Sequence, residues 1–417
     1  MSAAVTVTAR QNETPRAGVH STRIVWLVLY LASFGLVLSI SAAGGRMVSE
    51  TEFWQLVVRR GAWWGIGLVL FWLASRIDYH LWRRHSLLII VAALALLVAV
   101  LLPGIGRTVN GARRWIRIGP YLGVQPSEVA KLCLLVWIAA YCERHRDVMK
   151  TVTRGFLLPM LVVGLASLLI LAEPDFGTAV LVGLVGTLML LVAGTRLLFV
   201  TFGAVAAVPL LHKLILDSPY RVGRILIFLN PWEDPQGRGY QLVQSFIAIG
   251  SGGLWGTGLG ASTQKLGFLP ECSTDFVYAV VAEELGLVGT VALLAVCVWL
   301  LMEGLRAAWS SRDAFGFLLA TGLTTLLGLQ VLINVAVVTG CVPPKGLSLP
   351  LISAGGSSLA VTLFGLGILV NIARSAERPD TGTVRAWDVD TPAYELAFGA
   401  VVHELGAALS RRLRRWS

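Results

Sequence analysis

The chain has 417 residues, of which 56% are hydrophobic and only 14% charged, and its mean hydropathy is +0.74. That balance excludes an ordinary soluble globule. The net charge of +10 does not indicate a nucleic-acid partner: the basic residues are spread over joints between apolar runs, where orientation in a membrane and anionic lipid head groups account for them.

Apolar runs of membrane-spanning length recur from end to end, which predicts an all-α polytopic membrane protein with about ten transmembrane helices. Residues 1–22 are polar, with Asn12, Pro15 and Gly18, and read as a flexible cytoplasmic N-terminus. No cleavable leader is evident, so the first apolar run is read as a retained helix. The predicted spans are Ile24 to Ala43, Gly61 to Ala74, Leu87 to Leu102, Val129 to Tyr141, Phe156 to Leu171, Thr178 to Val192, Leu197 to Leu211, Phe276 to Leu301, Phe315 to Val338 and Ser358 to Ile372. Together they make a membrane domain over residues 23–374. A large extracytoplasmic loop, residues 212–275, separates the seventh span from the eighth.

With the N-terminus inside, the joints holding Arg83, Arg84, Arg144, Arg146, Lys150, Arg154, Arg196, Arg306 and Arg312 are cytoplasmic and basic, as the Lys/Arg bias requires. One joint breaks the rule. The basic loop after the third span carries Arg107, Arg113, Arg114 and Arg117 outside, and charges set against the bias suggest an anionic ligand. Within the large loop, Tyr240 to Gly250 is too short to span and reads as an interfacial or re-entrant helix. The glycines from Gly250 to Gly260 let backbone approach other groups closely. Residues 375–417 form a cytoplasmic tail whose Thr391-Pro392 start and Arg411-Arg412-Leu413-Arg414-Arg415-Trp416 end predict an amphipathic basic helix on anionic lipid.

Five cysteines lack CxxC spacing, which argues against zinc. Cys272 and Cys341 fall on one predicted side, where a bridge is conceivable. His403-Glu404 starts an HExxH pattern that Ala407 breaks.

Asp275, just before the eighth span, is either a helix cap or a carboxylate available as base or cation ligand; a helix N-terminus should lower its pKa. Lys131 lies about a turn inside its span, where an ammonium either snorkels to the interface or needs a partner, Glu128 or Asp275 being the candidates. Glu173 and Asp175 flank Pro174 at a helix junction and read by default as turn and cap residues. Glu283 and Glu284, two turns into the eighth span, should face water or a cation. Lys345, in the PPKGL loop, is by default an ordinary loop lysine; together with Arg113 and Arg114 it could help hold a pyrophosphate as a point charge, the arginines adding forked contacts. Gln264 and Lys265 are weaker candidates from the glycine-rich stretch, and Ser357 is a cap before it is a nucleophile.

The blocks NGARRWI, QPSEVAKL, EPDFGTA, GYQLVQSFIAIGSGGLWGTGLG, QKLGFLPE with TDF and AEELG, and PPKGLSLPLISAGGSSL resemble the SEDS family of cell-wall polymerases (FtsW, RodA and SpoVE). The resemblance runs from the first span to Arg374, and GLGASTQKL and the PPKGL lysine resemble the FtsW branch. It implies ten membrane helices and inverting polymerisation of lipid II into glycan strands outside the cytoplasmic membrane. It also implies membership of the division machinery, work beside a class B penicillin-binding protein, and contact with membrane lipids. The family's essential aspartate falls on Asp275 and its PSExxKL lysine on Lys131. Its RRW and PxKG cations fall on Arg113, Arg114 and Lys345; Gln264, Lys265, Glu173 and Ser357 complete the expected substrate contacts. No cofactor is implied with certainty, although a divalent cation, Mg or Mn, would suit the leaving pyrophosphate. Ser273 stands where the family commonly has histidine, and Ala354 where SYGGSS has tyrosine. The competing expectations are a lipid II flippase and a non-catalytic division scaffold.

Overall fold

A computed structural model describes residues 19–44, 49–109, 112–118 and 122–377. In chain order come α1 (Val19–Gly44), α2 (Glu50–Arg76), a short α3 (His80–Arg84) and α4 (Ser86–Leu101). Next are strands β1 (Gly106–Val109), β2 (Ala112–Ile118) and β3 (Leu122–Val124), then α5 (Pro126–Arg144), α6 (Leu158–Ala172), α7 (Phe176–Val192) and α8 (Leu197–Leu216). The chain continues through α9 (Pro219–Leu229), α10 (Tyr240–Gly252), α11 (Val277–Trp309), α12 (Ala314–Val338) and α13 (Gly356–Glu377).

Ten of these, α1, α2, α4 to α8 and α11 to α13, coincide one for one with the ten predicted spans. Seven helical stretches are long and apolar enough to cross a bilayer, and α4 and α7 are shorter apolar helices. The tenth, α5, carries Glu128 and Lys131 and survives in the membrane domain because its neighbours enclose it: most of its length, both charges included, is buried. It packs against α4, α7, α12 and α13. The pair α2 and α13 approaches closely because Gly367 lies against the Phe71 carbonyl and Gly67 against the Leu363 side chain, leaving no room for a Cβ.

Three elements differ from the sequence reading. The basic loop is a three-stranded antiparallel sheet in order β1-β2-β3, with Val109 of β1 paired with Ala112 of β2. At the large loop, α8 runs on to Leu216, and α9 begins at Pro219, a residue suited to the first helical turn. At the N-terminus, α1 begins at Val19. The expected basic helix of the tail lies outside the described residues, as do residues 1–18.

The bundle has two dissimilar ends. At one, the start of α1 meets the end of α13: Glu377 accepts from the His20 and Ser21 amides at 2.8 and 3.1 Å. Glu303 takes His20 at 2.7 Å and Arg306 at 2.7 Å. At the other end lie the sheet, α9, α10 and Asp275.

Candidate active site

Asp275 does not cap α11. The helix begins at Val277 after Phe276, with no side-chain cap. What fixes Asp275 is main chain. Asn334 on α12 donates its amide hydrogens to the carbonyls of Asp275 (2.8 Å) and Leu347 (2.7 Å). The Ser353 hydroxyl donates to the Thr274 carbonyl at 2.5 Å, and the Ala354 amide to that of Ser273 at 2.8 Å. The loop between α12 and α13 is thereby locked to the turn that carries Asp275. A Cβ on Gly346 would stand 3.1 Å from Asp275 Oδ2, so the loop passes the carboxylate without covering it.

Two cavities meet at this residue. One, of about 350 Å³, is lined by Gln125, Glu128, Ser273, Thr274, Ser348, Ser353, Ser357 and Ser358, with Arg59 and Arg60 at one side. The other, of about 1280 Å³, is lined by Arg59, Arg107, Arg114, Arg117, Arg221, Arg224 and Lys345, against three carboxylates, Asp175, Glu271 and Asp275. Phe176 sits between two of the cations, with Arg221 and Lys345 each 5.4 Å from its ring centre. Arg224 donates to the Pro344 carbonyl at 2.9 Å. Burial depresses the Lys345 ammonium below its ordinary range.

The sequence reading expected a helix N-terminus to lower the pKa of Asp275. The structure reverses that expectation. Half-buried between the cavities, the carboxyl is pushed up to about 7, first by desolvation and then by the charge of Glu271, with Arg224 and Arg114 opposing. With α11 starting two residues later and no capping bond formed, the dipole has little hold on it. A carboxyl poised near neutrality is suited to take a proton during a reaction and release it afterwards.

The other expected site residues separate into groups. Lys131 is buried and its ammonium meets Glu128 at 2.8 Å; Glu128 also lines the smaller cavity, so the pair stands beneath that chamber and does not reach Asp275. Ser357 lines the same chamber, its hydroxyl accepting from the Gln125 amide at 3.4 Å. Arg114 lines the larger cavity and hooks β2 onto the α6–α7 corner, donating to the carbonyl of Glu173 at 2.8 Å and to that of Pro174. Arg113 is exposed and lines neither cavity, because its neighbours on β2 carry the inward face. Glu173 is fully buried with neither carboxylate oxygen hydrogen-bonded, and desolvation with Asp175 nearby raises its pKa to about 8. It supports the corner from behind and lines neither of these two cavities.

Gln264 and Lys265 are buried in their own loop, away from both cavities. Lys265 meets Glu284 at 3.0 Å, and Glu283 accepts from the Thr263 amide and hydroxyl, each at 2.9 Å. The adjacent glutamates therefore organise the glycine-rich loop. Cys272 is buried, Cys341 is exposed, and no disulfide joins them, so the conceivable bridge is absent.

Sequence reasoning did not single out Arg221, Arg224, Glu271 or Gln125 as site residues. The Arg221/Arg224 pair carried a signal, an i,i+3 spacing after Pro219 that puts both on one face of a short helix. Among the described residues, no three His, Cys, Asp or Glu side chains converge to hold a metal ion. The three carboxylates of the larger cavity do not fit a preformed divalent site.

A ten-helix membrane bundle, with one near-neutral carboxyl between a hydroxyl-lined and a cation-lined chamber, has the form of a membrane enzyme. Comparison with known proteins agrees. Residues 22–378 match the FtsW/RodA/SpoVE family described as "Cell cycle protein". The chain is 42% identical over 353 residues to the probable peptidoglycan glycosyltransferase FtsW of Geobacter sulfurreducens, covering 84% of this chain and 94% of that protein. It is 39% identical to the stage V sporulation protein E of Bacillus subtilis, covering 84% and 96%. Its fold superposes on a chain of a peptidoglycan synthase complex that coordinates polymerization and crosslinking, with TM-score 0.69 at 33% identity over 85% of this chain and 97% of that one. It also superposes on Thermus thermophilus RodA, with TM-score 0.60 at 28% identity over 85% and 97%. The chain belongs to the FtsW/RodA/SpoVE family.

Proposed function

We propose that this chain is a peptidoglycan glycosyltransferase that polymerises lipid II into glycan strands, with Asp275 as general base. The observation that carries the reading is the position of Asp275 at the junction of the two cavities. The cation-lined chamber suits the donor's pyrophosphate and the serine-lined chamber suits an acceptor sugar. Asp275 takes the proton from the acceptor hydroxyl as that oxygen attacks the donor's anomeric carbon. The bond from that carbon to the pyrophosphate oxygen breaks with inversion, and the lipid pyrophosphate leaves with the electron pair. Arg221, Arg224 and Lys345 stabilise the charge that develops on it. A pyrophosphate is already a good leaving group, so no partner acid is required.

The Lys/Arg bias supports cytoplasmic termini and a cavity open to the extracytoplasmic face of the membrane. That orientation brings the product to a class B penicillin-binding protein, whose crosslinking would follow polymerisation, within the division machinery. Purified protein in detergent, where no leaflets exist, tests the reading. Wild type is expected to build glycan from lipid II and the Asp275→Asn variant to fail; an Asp275→Asn protein active at the wild-type rate overturns the role, and inactive wild type in the presence of its partner overturns the activity.

A further inference from the structure

The 33-residue α11 is about 50 Å long, well beyond the roughly 30 Å hydrocarbon core of a bilayer. It breaks at Gly286, whose φ of 65° and ψ of −166° are not helical. Counting from the break, Leu287 to Arg306 accounts for about 30 Å of helix. Gly286 therefore lies about one hydrocarbon thickness from Arg306 along the helix. Just past it, Leu287, Val288 and Val291 are exposed, as lipid-facing residues are.

The glycine-rich segment after α10 is stitched to this break by main-chain bonds. The Leu287 and Val288 amides donate to the carbonyls of Gly253 (2.9 Å) and Leu254 (3.1 Å), and the Thr257 and Gly258 amides to those of Glu283 (2.9 Å) and Glu284 (3.0 Å). A Cβ on Gly256 would collide with the Glu284 carbonyl. Irregular backbone persists at membrane depth only when its polar groups find partners inside the protein, and here they do.

The outward side of the segment is apolar. Leu254, Trp255, Leu259, Leu266 and Phe268 are exposed, Trp255 at 79%. Residues 240–270 contain one charge, Lys265, and it is buried against Glu284. We infer that residues 253–268 are a membrane anchor, seated in the interfacial zone of the leaflet on the Asp275 side with Trp255 and its apolar neighbours in contact with acyl chains. The bilayer is the occupant because the patch continues the lipid-facing surface of α11 at the depth where indole rings partition best. The anchor leads through Leu269, fully buried, to the turn at Ser273–Asp275, and so sets the height of Asp275 relative to the membrane surface. This inference does not depend on which reaction Asp275 performs.

Full-length chains carrying Cys341→Ser and either Trp255→Cys or Leu259→Cys, labelled with an environment-sensitive fluorophore, test it in phosphatidylethanolamine/phosphatidylglycerol vesicles. Glu233→Cys, on the exposed loop before α10, is the aqueous reference. Brominated acyl chains should lower emission at 255 and 259 about threefold and leave 233 unaffected, while iodide should do the reverse. Iodide quenching at 255 and 259 equal to that at 233 overturns the anchor, and that is also the result expected of a patch awaiting a protein partner.

Discussion

The two cavities that share Asp275 differ in their dominant lining. The smaller is walled mostly by serine and threonine hydroxyls and the Gln125 side chain, which donate and accept in turn, with Arg59 and Arg60 at one side. The larger is walled mostly by six arginines, Arg59 among them, and Lys345, set against Asp175 and Glu271. Hydroxyl walls read the oxygens of a neutral sugar; a cationic wall pays attention to formal charge and little else. In the proposed reaction, the one carboxyl they share takes the acceptor's proton on one side and lies close to the donor's phosphate on the other. The difference implies that substitutions should sort by chamber, and Asp275 should belong to both.

The largest effect should come from Asp275→Asn, which keeps size and removes the base. A loss of about 10²- to 10⁴-fold in turnover is expected, with binding of a lipid pyrophosphate retained, as measured by glycan synthesis and by ligand binding on one preparation. Lost binding at equal severity would mean that the carboxyl organises the site and does not act in the step. Next should come the cationic wall. Lys345→Ala is expected to lower turnover on the order of 10²-fold, and added salt should depress wild type more than the variant. The hydroxyl wall should be the gentlest of the three. Ser357→Ala removes one neutral hydrogen-bonding group and is expected to cost about 3- to 10-fold, as a raised acceptor KM with turnover nearly unchanged. Equal effects of Lys345→Ala and Ser357→Ala on both parameters would erase the distinction between the chambers.

How much of this was legible in the sequence depends on the range over which each feature is encoded. The ten spans were, since apolar length is a local property and a bilayer imposes it. The pairing of β1 with β2 was not read, because a run of arginines disguised it as a loop. Asp275 stood out through its place before a span and its family motif. Its pKa did not: that depends on Glu271, Arg224 and Arg114 converging from separate elements, and no local pattern reports such a meeting. The same limit explains Lys265. Its glycine-rich surroundings suggested a ligand, whereas Glu284, from the broken helix α11, claims its charge. Arg113 and Arg114 are adjacent in sequence and equivalent to a motif, yet only one reaches the cavity.

The smallest expected effect is also the most specific to this geometry. Asp275 must be deprotonated to accept a proton, so turnover should rise with pH and level off above its pKa of about 7. After desolvation, the negative charge of Glu271 is the main influence holding that pKa up. Glu271→Gln removes the charge, makes the carboxylate easier to form, and should move the rising limb toward acid. Arg224 acts in the opposite sense, so Arg224→Ala should move the limb toward alkali while also lowering the plateau, because Arg224 lines the cationic chamber. Limbs that stay fixed in both variants would show that another group titrates. Glu173, raised to about 8 behind the Arg114 hook, would then be the group to replace, and Glu173→Gln should abolish the limb if it is the source.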